Sequence, residues 1–210
     1  MKVKLPKIIP VFPLSGVIYF PKTNLPLNIF EPRYLALVND CVESNKYMGM
    51  IQSKKNSSDV YSVGCLGKIT EKKETKDGRV LLNLIGICRF EIKKELNNDK
   101  SYRMFEVSYE KFKSDQDAIS EQSKKIERVR ELSEKTKSFF KRNGLLLNWQ
   151  EFEKLDQDQR INTLAMIAPI SNVEKQTILE SVNIQSKMKT LSEIIEFYSH
   201  EKSINNLTIQ

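Results

Sequence analysis

Two stretches of the sequence come close to the glycine-rich loop that binds nucleotide phosphates. The first, "GVIYFPKT" at residues 16–23, reads Gly-x-x-x-x-Pro-Lys-Thr, one residue away from Gly-x-x-x-x-Gly-Lys-Thr. The second, "GCLGKIT" at residues 64–70, reads Gly-x-x-Gly-Lys and is two residues too short. A phosphate loop needs flexible glycines whose N–H groups point at oxygen, and Pro21 has no N–H. We interpret residues 17–20 as a strand ending at a proline turn, and Gly64 and Gly67 as sites of a bulge or close backbone approach.

Residues for catalysis or metal binding are scarce. The single histidine, His200, lies near the C-terminus, and the absence of a Gly-x-Ser-x-Gly turn argues against a Ser-His-acid triad. The many serines and lysines leave a Ser-Lys pair open, but their spacing places no particular pair. No His or Cys cluster has the spacing of metal ligands. We therefore expect no catalytic residues, no metal site and no cofactor.

The cysteines and the hydropathy pattern indicate the cellular compartment of the protein. Cys41, Cys65 and Cys88 are widely spaced and form no Cys-x-x-Cys, which is typical of buried thiols in a reducing environment. No apolar run approaches the ~20 residues of a membrane helix, and no apolar signal region follows the basic N-terminal residues. We therefore expect a soluble, cytoplasmic protein.

The hydrophobic pattern changes its period near residue 112. Before it, short β-branched and aromatic runs bounded by Pro and Gly are typical of strands, with a hairpin turn at "KDGR" (76–79) and a short helix over residues 32–44. After it, apolar residues recur at helical spacing, which predicts a long helix over residues 116–142, ended by Gly144, and several shorter ones. We predict an α+β fold, in which an antiparallel, barrel-like β-rich domain with one short helix (residues 1–112) precedes a helical bundle with one long helix (residues 113–210).

The net positive charge is confined to the first half, because residues 113–210 balance to zero. Residues 1–112 hold 19 Lys and Arg against 12 Asp and Glu, which accounts for the whole net charge of +7. A basic β-rich half raises the alternative of nucleic-acid binding. The basic residues around the hairpin turn would supply the phosphate contacts: Lys68, Lys72, Lys73, Lys76 and Arg79. The interleaved Glu71, Glu74 and Asp77 weaken this alternative.

An aromatic cluster stands at the junction of the long helix and its successor, formed by Phe139, Phe140, Trp149 and Phe152. Large apolar side chains are the usual anchors of protein-binding surfaces, so these four are our candidate contacts for a protein partner. They are equally the residue types of a bundle core, and that interpretation is favoured.

The stretch "PVFPLSGVIYFPKTNLPLNIFEPRYLALV" resembles the opening of the N-terminal substrate-binding domain of Lon (La) ATP-dependent proteases. The most specific part is "IFEPRY" at residues 29–34, and "VGCLGKI" (63–69), "DGRVLLNLIGICRF" (77–90) and "AMIAPISNVEKQTILE" (165–180) follow in family order. The residues that carry the resemblance, all with expected structural roles, are Phe12, Pro13, Phe20, Pro21, Pro26, Phe30, Glu31, Pro32, Arg33, Tyr34, Gly64, Gly67, Gly86, Arg89 and Phe90.

The resemblance implies a β-rich subdomain followed by a helical bundle, which in Lon proteases recognises unfolded or tagged substrates ahead of an ATPase and a Ser-Lys peptidase. This sequence contains neither a Walker loop nor the Pro-Lys-Asp-Gly-Pro-Ser-Ala-Gly stretch of the peptidase. We therefore expect a stand-alone Lon-domain protein without catalytic activity, which binds exposed or unfolded polypeptide or acts as an adaptor or regulator of proteolysis.

The partners that this expectation implies are unfolded or extended protein segments, together with a protease or chaperone, and no membrane. The alternatives are the nucleic-acid-associated protein above and the N-terminal fragment of an ATP-dependent Ser-Lys protease. Within "IFEPRY" we expect Glu31 to cap the short helix and Arg33 to pair with a carboxylate, with surface contact as the other role open to them.

Overall fold

The computed structural model describes residues 4–116 and 126–207. The chain divides into two compact units, Met1–Asp117 and Ala118–Gln210. The first is β-rich and the second helical, so the predicted α+β class is confirmed. Compact units need not fold independently, and the domain boundary predicted at residues 112 and 113 stays a prediction.

Five strands of the first unit close into a barrel, to which a sixth strand is attached. The strands are β1 (Ile8–Leu14), β2 (Asn24–Ile29), β3 (Tyr47–Gln52), β4 (Val63–Glu74), β5 (Val80–Leu96) and β6 (Arg103–Ser108). Their order is β2-β5-β4-β3-β1-β6, and β5 also pairs with β6. Because β5 has 17 residues, its first half pairs with β2 and its second half with β6, which closes the ring.

One pairing corrects the antiparallel prediction. β1 and β3 run parallel, with Val11 opposite Gly49 and Leu14 opposite Gln52, whereas the other strand pairs are antiparallel. The connection from β1 to β3 contains β2 and the helix α1 (Pro32–Glu43). A crossover of that length returns the chain to the same end of the sheet, which a tight hairpin cannot do.

The prediction of a strand at residues 17–20 is wrong. These residues are described and form no strand, and Ile18, Tyr19 and Phe20 are all buried. Apolar and aromatic residues favour burial as well as strand pairing, and here packing of Tyr19 and Phe20 over β4 and β5 decides the path. The chain joins β5 only after Pro21, where the N–H of Lys22 donates to the carbonyl of Gly86 over 2.8 Å.

The segment at residues 17–23 lies over a pair of glycines. Gly67 of β4 and Gly86 of β5 stand opposite each other, and the register shifts between Leu66 and Gly67. A Cβ on Gly86 would lie 2.3 Å from the carbonyl oxygen of Phe20. The phosphate-loop-like stretch is therefore a packing element, and the bulge predicted at Gly67 is confirmed.

The interior of the barrel is apolar and closely packed. A Cβ on Gly64 would lie 2.5 Å from the carbonyl oxygen of Met50 and 2.6 Å from the Phe90 ring, so the predicted close approach at Gly64 is confirmed. The core cluster consists of Ile9, Val11, Ile51, Leu66, Cys88, Phe90, Phe105 and Val107.

All three cysteines are buried free thiols, as predicted. Burial raises the pKa of Cys41 and of Cys88 from 9.0 to about 12. Each of these two thiols is therefore protonated at neutral pH and adds stability that is lost as the pH rises from about 9 through 12.

We expect iodoacetamide at pH 8 to label none of the three cysteines in the folded protein and all three in urea, as mass spectrometry would show. Labelling of the folded chain within minutes would contradict this burial.

The second unit contains α2 (Ile126–Arg142), α3 (Trp149–Phe152), α4 (Gln157–Ile167), α5 (Asn172–Glu180) and α6 (Ile184–Leu207). The predicted long helix is confirmed over residues 126–142. Gln116, its predicted first residue, ends the 3₁₀-helical segment Glu110–Gln116, and residues 117–125 lie outside the described residues. Gly144 follows α2 with φ +70°, a conformation that suits glycine at a helix end. Asp156 and Ser171 begin α4 and α5 with capping boxes. Within the described ranges, no helix combines the length and apolarity needed to cross a bilayer.

Candidate functional site

A groove of about 550 Å³ opens in the first unit. Its walls are the end of β1, the end of β2 with the residues that follow, the first turn of α1, and the loop after β3. The lining residues are Phe12, Pro13, Leu14, Ser15, Leu27, Asn28, Ile29, Phe30, Glu31, Arg33, Tyr34, Ser53, Ser57, Ser58 and Arg103.

Aromatic side chains dominate one wall of the groove. The rings of Phe12 and Tyr34 stack with centroids 3.9 Å apart, and the guanidinium of Arg33 lies 4.6 Å from the centre of the Tyr34 ring. Burial raises the pKa of Tyr34, so its hydroxyl stays neutral at physiological pH. Phe30, by contrast, is 65 % exposed. A phenylalanine so exposed beside a groove is available to a partner's apolar side chain.

The turn from β2 into α1 positions these side chains. β2 ends at Ile29, and Pro32 occupies the first turn of α1, where its fixed φ suits the helix start. Glu31 stands at the N-cap but makes no side-chain cap, which corrects the capping prediction. Its carboxylate instead accepts hydrogen bonds from Nε and Nη2 of Arg33, at 3.0 and 2.8 Å. Both partners are exposed, so the pair adds at most about 1 kcal/mol of stability and mainly neutralises charge.

The second arginine of the groove is also paired. Arg103 donates from Nε and Nη2 to the two carboxylate oxygens of Glu95, at 2.6 and 2.7 Å, and from Nη1 to the carbonyl of Ser58 at 2.9 Å. The hydrogen bond from Arg103 holds the pKa of Glu95 below its ordinary value. Both guanidinium groups are therefore balanced by carboxylates, and the groove offers mostly apolar, hydroxyl and amide surface.

The polar groups in the lining of the groove are mainly hydroxyls, with one carboxylate, one amide and two guanidinium groups. None of the described residues that line it is histidine or cysteine. In the part of the chain that the structure describes, no three His, Cys, Asp or Glu residues come together to hold a metal ion. Phe12 and Tyr34 are each only 7 % exposed, so Phe30 is the ring of this wall that a partner's apolar side chain could cover most fully.

The resemblance residues divide between the groove and the packing around it. Six of them line the groove: Phe12, Pro13, Phe30, Glu31, Arg33 and Tyr34. Another four belong to the contact between the segment at residues 17–23 and the glycine pair of β4 and β5: Phe20, Pro21, Gly67 and Gly86. Gly64 and Phe90 belong to the barrel interior. Arg89 is fully buried and paired with Asp115.

Several lining residues were not expected from the sequence, among them Leu14, Ser15, Asn28, Ser53, Ser57, Ser58 and Arg103. They come from four separate segments. Leu14, Ser15 and Asn28 lie within the stretch that carries the resemblance, but no local pattern links them to the serines after β3 or to Arg103. The exposure of Phe30 was also not predicted, since an aromatic residue after a strand is normally a core residue.

The aromatic cluster of the second unit lies mostly in its interior. Phe139, Phe140 and Phe152 are each no more than 3 % exposed. Trp149 is half-buried and lies 6.2 Å from the ring of Phe140 and 5.3 Å from that of Phe152. This arrangement is that of a packed core, and a role in binding a partner stays a prediction.

Two of the five basic residues around the hairpin turn, Lys72 and Arg79, are paired with carboxylates of the same turn. Lys72 forms an ion pair with Glu74 and donates to the Asn39 side chain, at 2.9 Å in each case. Arg79 is paired with Asp77 at 2.8 Å. Phosphate binding would have to displace these internal partners.

The barrel with its groove and the helical unit define an α+β binding domain. The family model of the ATP-dependent protease La (LON) substrate-binding domain matches residues 8–196, and the chain belongs to this family. It is 24 % identical to the Lon protease of Elusimicrobium minutum over 216 residues, which cover 96 % of this chain and 25 % of that protein. The chain thus spans about a quarter of the length of the curated relatives it matches.

Two solved structures establish the fold. The N-terminal domain of the Mycobacterium avium complex Lon protease superposes with a TM-score of 0.68 at 15 % identity, covering 90 % of this chain and 98 % of that one. The Lon N-terminal domain protein from Xanthomonas campestris gives a TM-score of 0.61 at 21 % identity, covering 90 % of this chain and 97 % of that one.

Proposed function

We propose that this chain is a non-catalytic protein-binding module that recognises exposed or unfolded polypeptide segments through the groove. The observation that carries the proposal is the groove itself. Six of the residues that carry the family resemblance line it, and it combines an aromatic wall with arginines that are already neutralised. Membership of the LON substrate-binding family supports the same conclusion.

The composition of the groove fits unfolded rather than folded partners. Folded proteins bury most of their large apolar side chains, whereas unfolded chains expose them together with unpaired backbone groups. The exposed Phe30 offers most of the apolar contact, with Phe12 and Tyr34 largely buried behind the lining, and Asn28, Ser53 and neighbouring serines offer hydrogen bonds. The module would act as an adaptor or regulator of proteolysis in the cytoplasm, with a protease or chaperone as a further partner.

The test of this function compares two forms of one polypeptide. Reduced, carboxymethylated lactalbumin is unfolded, and native lactalbumin has the same sequence in a folded state. We expect the full chain to bind the fluorescein-labelled unfolded form measurably and the native form at least about 10-fold more weakly, as followed by fluorescence anisotropy. Equal binding of both forms, or no binding of either, would refute the proposed function.

The position of the site is tested by Phe30→Ser. Because Phe30 is exposed, its replacement should leave the unfolding midpoint unchanged while weakening binding of the unfolded probe at least about 10-fold. The matched control is Phe197→Ser on α6, which removes a phenylalanine of similar exposure, 57 %, outside the groove. We expect this control to change the affinity less than about 2-fold. If both variants bound as tightly as the unmodified chain, the groove would not be the binding site.

A further inference from the structure

Strand β2 has one open edge. In the strand order β2-β5-β4-β3-β1-β6 it stands at an end, and within the described residues β5 is the strand that pairs with it. An unpaired edge presents a row of N–H and C=O groups that can hydrogen bond to another extended chain.

Pro26 identifies which residues of β2 face this edge. It stands opposite Asn83 of β5 but has no N–H to donate to the ladder, so its nitrogen points away from β5. Backbone direction alternates along a strand, so Asn24 and Asn28 share this orientation, whereas Leu25, Leu27 and Ile29 face β5. The open edge therefore offers the N–H and C=O groups of Asn24 and Asn28 and the C=O of Pro26, and the Pro26 ring stands between the two asparagines in place of an N–H.

The open edge leads into the groove. Residues 27–30 at the end of β2 line it, and Asn28 is both an edge residue and a lining residue. A chain paired along residues 24–28 would cover about 16 Å, at roughly 3.3 Å per residue. Alternate side chains of such a chain would point to the same side of the sheet. One end of the paired segment would thus lie beside Phe30 and the aromatic wall.

We propose that the polypeptide bound by the groove is held as an added β-strand on the open edge of β2, through main-chain hydrogen bonds to Asn28 and Asn24. This proposal rests on the proposed function and specifies its substrate: an extended segment with apolar residues at alternate positions. Because main-chain groups make the contacts, such recognition tolerates many sequences but requires an unfolded backbone.

Hydrogen-bond chemistry selects this occupant over others. A helix satisfies its own backbone N–H and C=O groups and has none left for β2. An anionic ligand would have to displace carboxylates from Arg33 and Arg103, which are already paired with Glu31 and Glu95. An extended chain supplies both donors and acceptors, which can pair with Asn24 and Asn28 on either side of Pro26.

The first test removes one edge N–H. Asn28→Pro deletes the N–H of a residue that faces away from β5, as Pro26 already does, so the β2–β5 ladder should survive. We expect it to weaken binding of carboxymethylated lactalbumin at least about 10-fold. Asn28→Ala removes only the side chain and keeps the N–H, and we expect a loss of about 3-fold at most. Circular dichroism and thermal unfolding would show that both variants are folded.

A second test leaves the protein unchanged. An eight-residue peptide with leucine at alternate positions and serine between them is made in two forms, with N-methyl groups on the leucine amides or on the serine amides. The amides that face β2 belong to one of these sets, so we expect one form to bind the full chain at least about 10-fold more weakly than the other.

The outcomes separate the two proposals. If the unmodified chain does not prefer the unfolded probe, the proposed function itself fails. Suppose instead that the unmodified chain prefers the unfolded probe. If Asn28→Pro then binds this probe as tightly as Asn28→Ala does, or if the two methylated peptides bind with equal affinity, the groove binds polypeptide without the edge of β2. If the chain is a dimer that Asn28→Pro dissociates while probe binding persists, the edge serves a second copy instead, and this also overturns the inference.

Discussion

Replacing Asp115 by Asn should lower the free energy of unfolding by about 3–5 kcal/mol, the typical cost of breaking a buried ion pair from one side. Arg89 is only 1 % exposed and Asp115 is 9 % exposed. The carboxylate accepts from Nη2 and Nε of Arg89 at 2.7 and 2.8 Å and from the Arg89 backbone N–H at 2.9 Å. In Asp115→Asn the guanidinium would stay buried without a counter-charge, and that is the source of the cost.

The pair also anchors the end of the first unit. Arg89 belongs to β5, whereas Asp115 lies in the 3₁₀-helical segment Glu110–Gln116, and the guanidinium sits 4.2 Å from the centre of the Phe112 ring. Loss of the carboxylate should therefore free this segment from the barrel wall. We expect faster amide hydrogen exchange at residues 110–116 as well as a lower urea midpoint.

The matched control lies in the same segment. Lys113 pairs with Glu110, and both are largely exposed, so Lys113→Ala should change stability by less than about 1 kcal/mol. The double variant Arg89→Met/Asp115→Leu should recover most of the stability lost in Asp115→Asn, because it leaves no buried charge. A loss for Asp115→Asn no larger than that of Lys113→Ala would show that the buried pair contributes little.

Gly86→Ala should destabilise the chain by about 3 kcal/mol, near the upper end of the usual range for overpacking. The added Cβ would lie 2.3 Å from the Phe20 carbonyl oxygen and 3.0 Å from the Pro21 Cα. Both are backbone atoms, and the N–H of Lys22 is bound to the Gly86 carbonyl, so the segment cannot withdraw without losing that hydrogen bond.

The control is the glycine directly opposite. At Gly67 the nearest atom to an added Cβ is Cε1 of the Tyr19 side chain, at 3.1 Å, which can move by a few tenths of an ångström. We expect Gly67→Ala to cost about 1 kcal/mol. Urea unfolding followed by tyrosine fluorescence would measure both. Equal effects of the two substitutions would show that the segment at residues 17–23 adapts to a larger residue at position 86.

Much of the fold was predictable because its signals are local. The change from strand to helix periodicity, the capping box at Ser171 with Glu174, and the helix end at Gly144 each depend on residues within one or two turns. The burial of the three cysteines followed from their residue type and spacing. The errors arose where distant segments compete, as at residues 17–20, where strand-forming residues instead cover a glycine pair.

The sequence by itself determined the class of the fold and the family, since these depend on residue types and short spacings. Only the tertiary structure decided that β1 and β3 pair in parallel, that Glu31 binds Arg33 instead of capping α1, and that Phe30 is exposed beside a groove. Closure of the barrel brings the ends of β1 and β2, the start of α1 and Arg103 to one place. That closure depends on pairing between strands far apart in the chain, which no local pattern encodes.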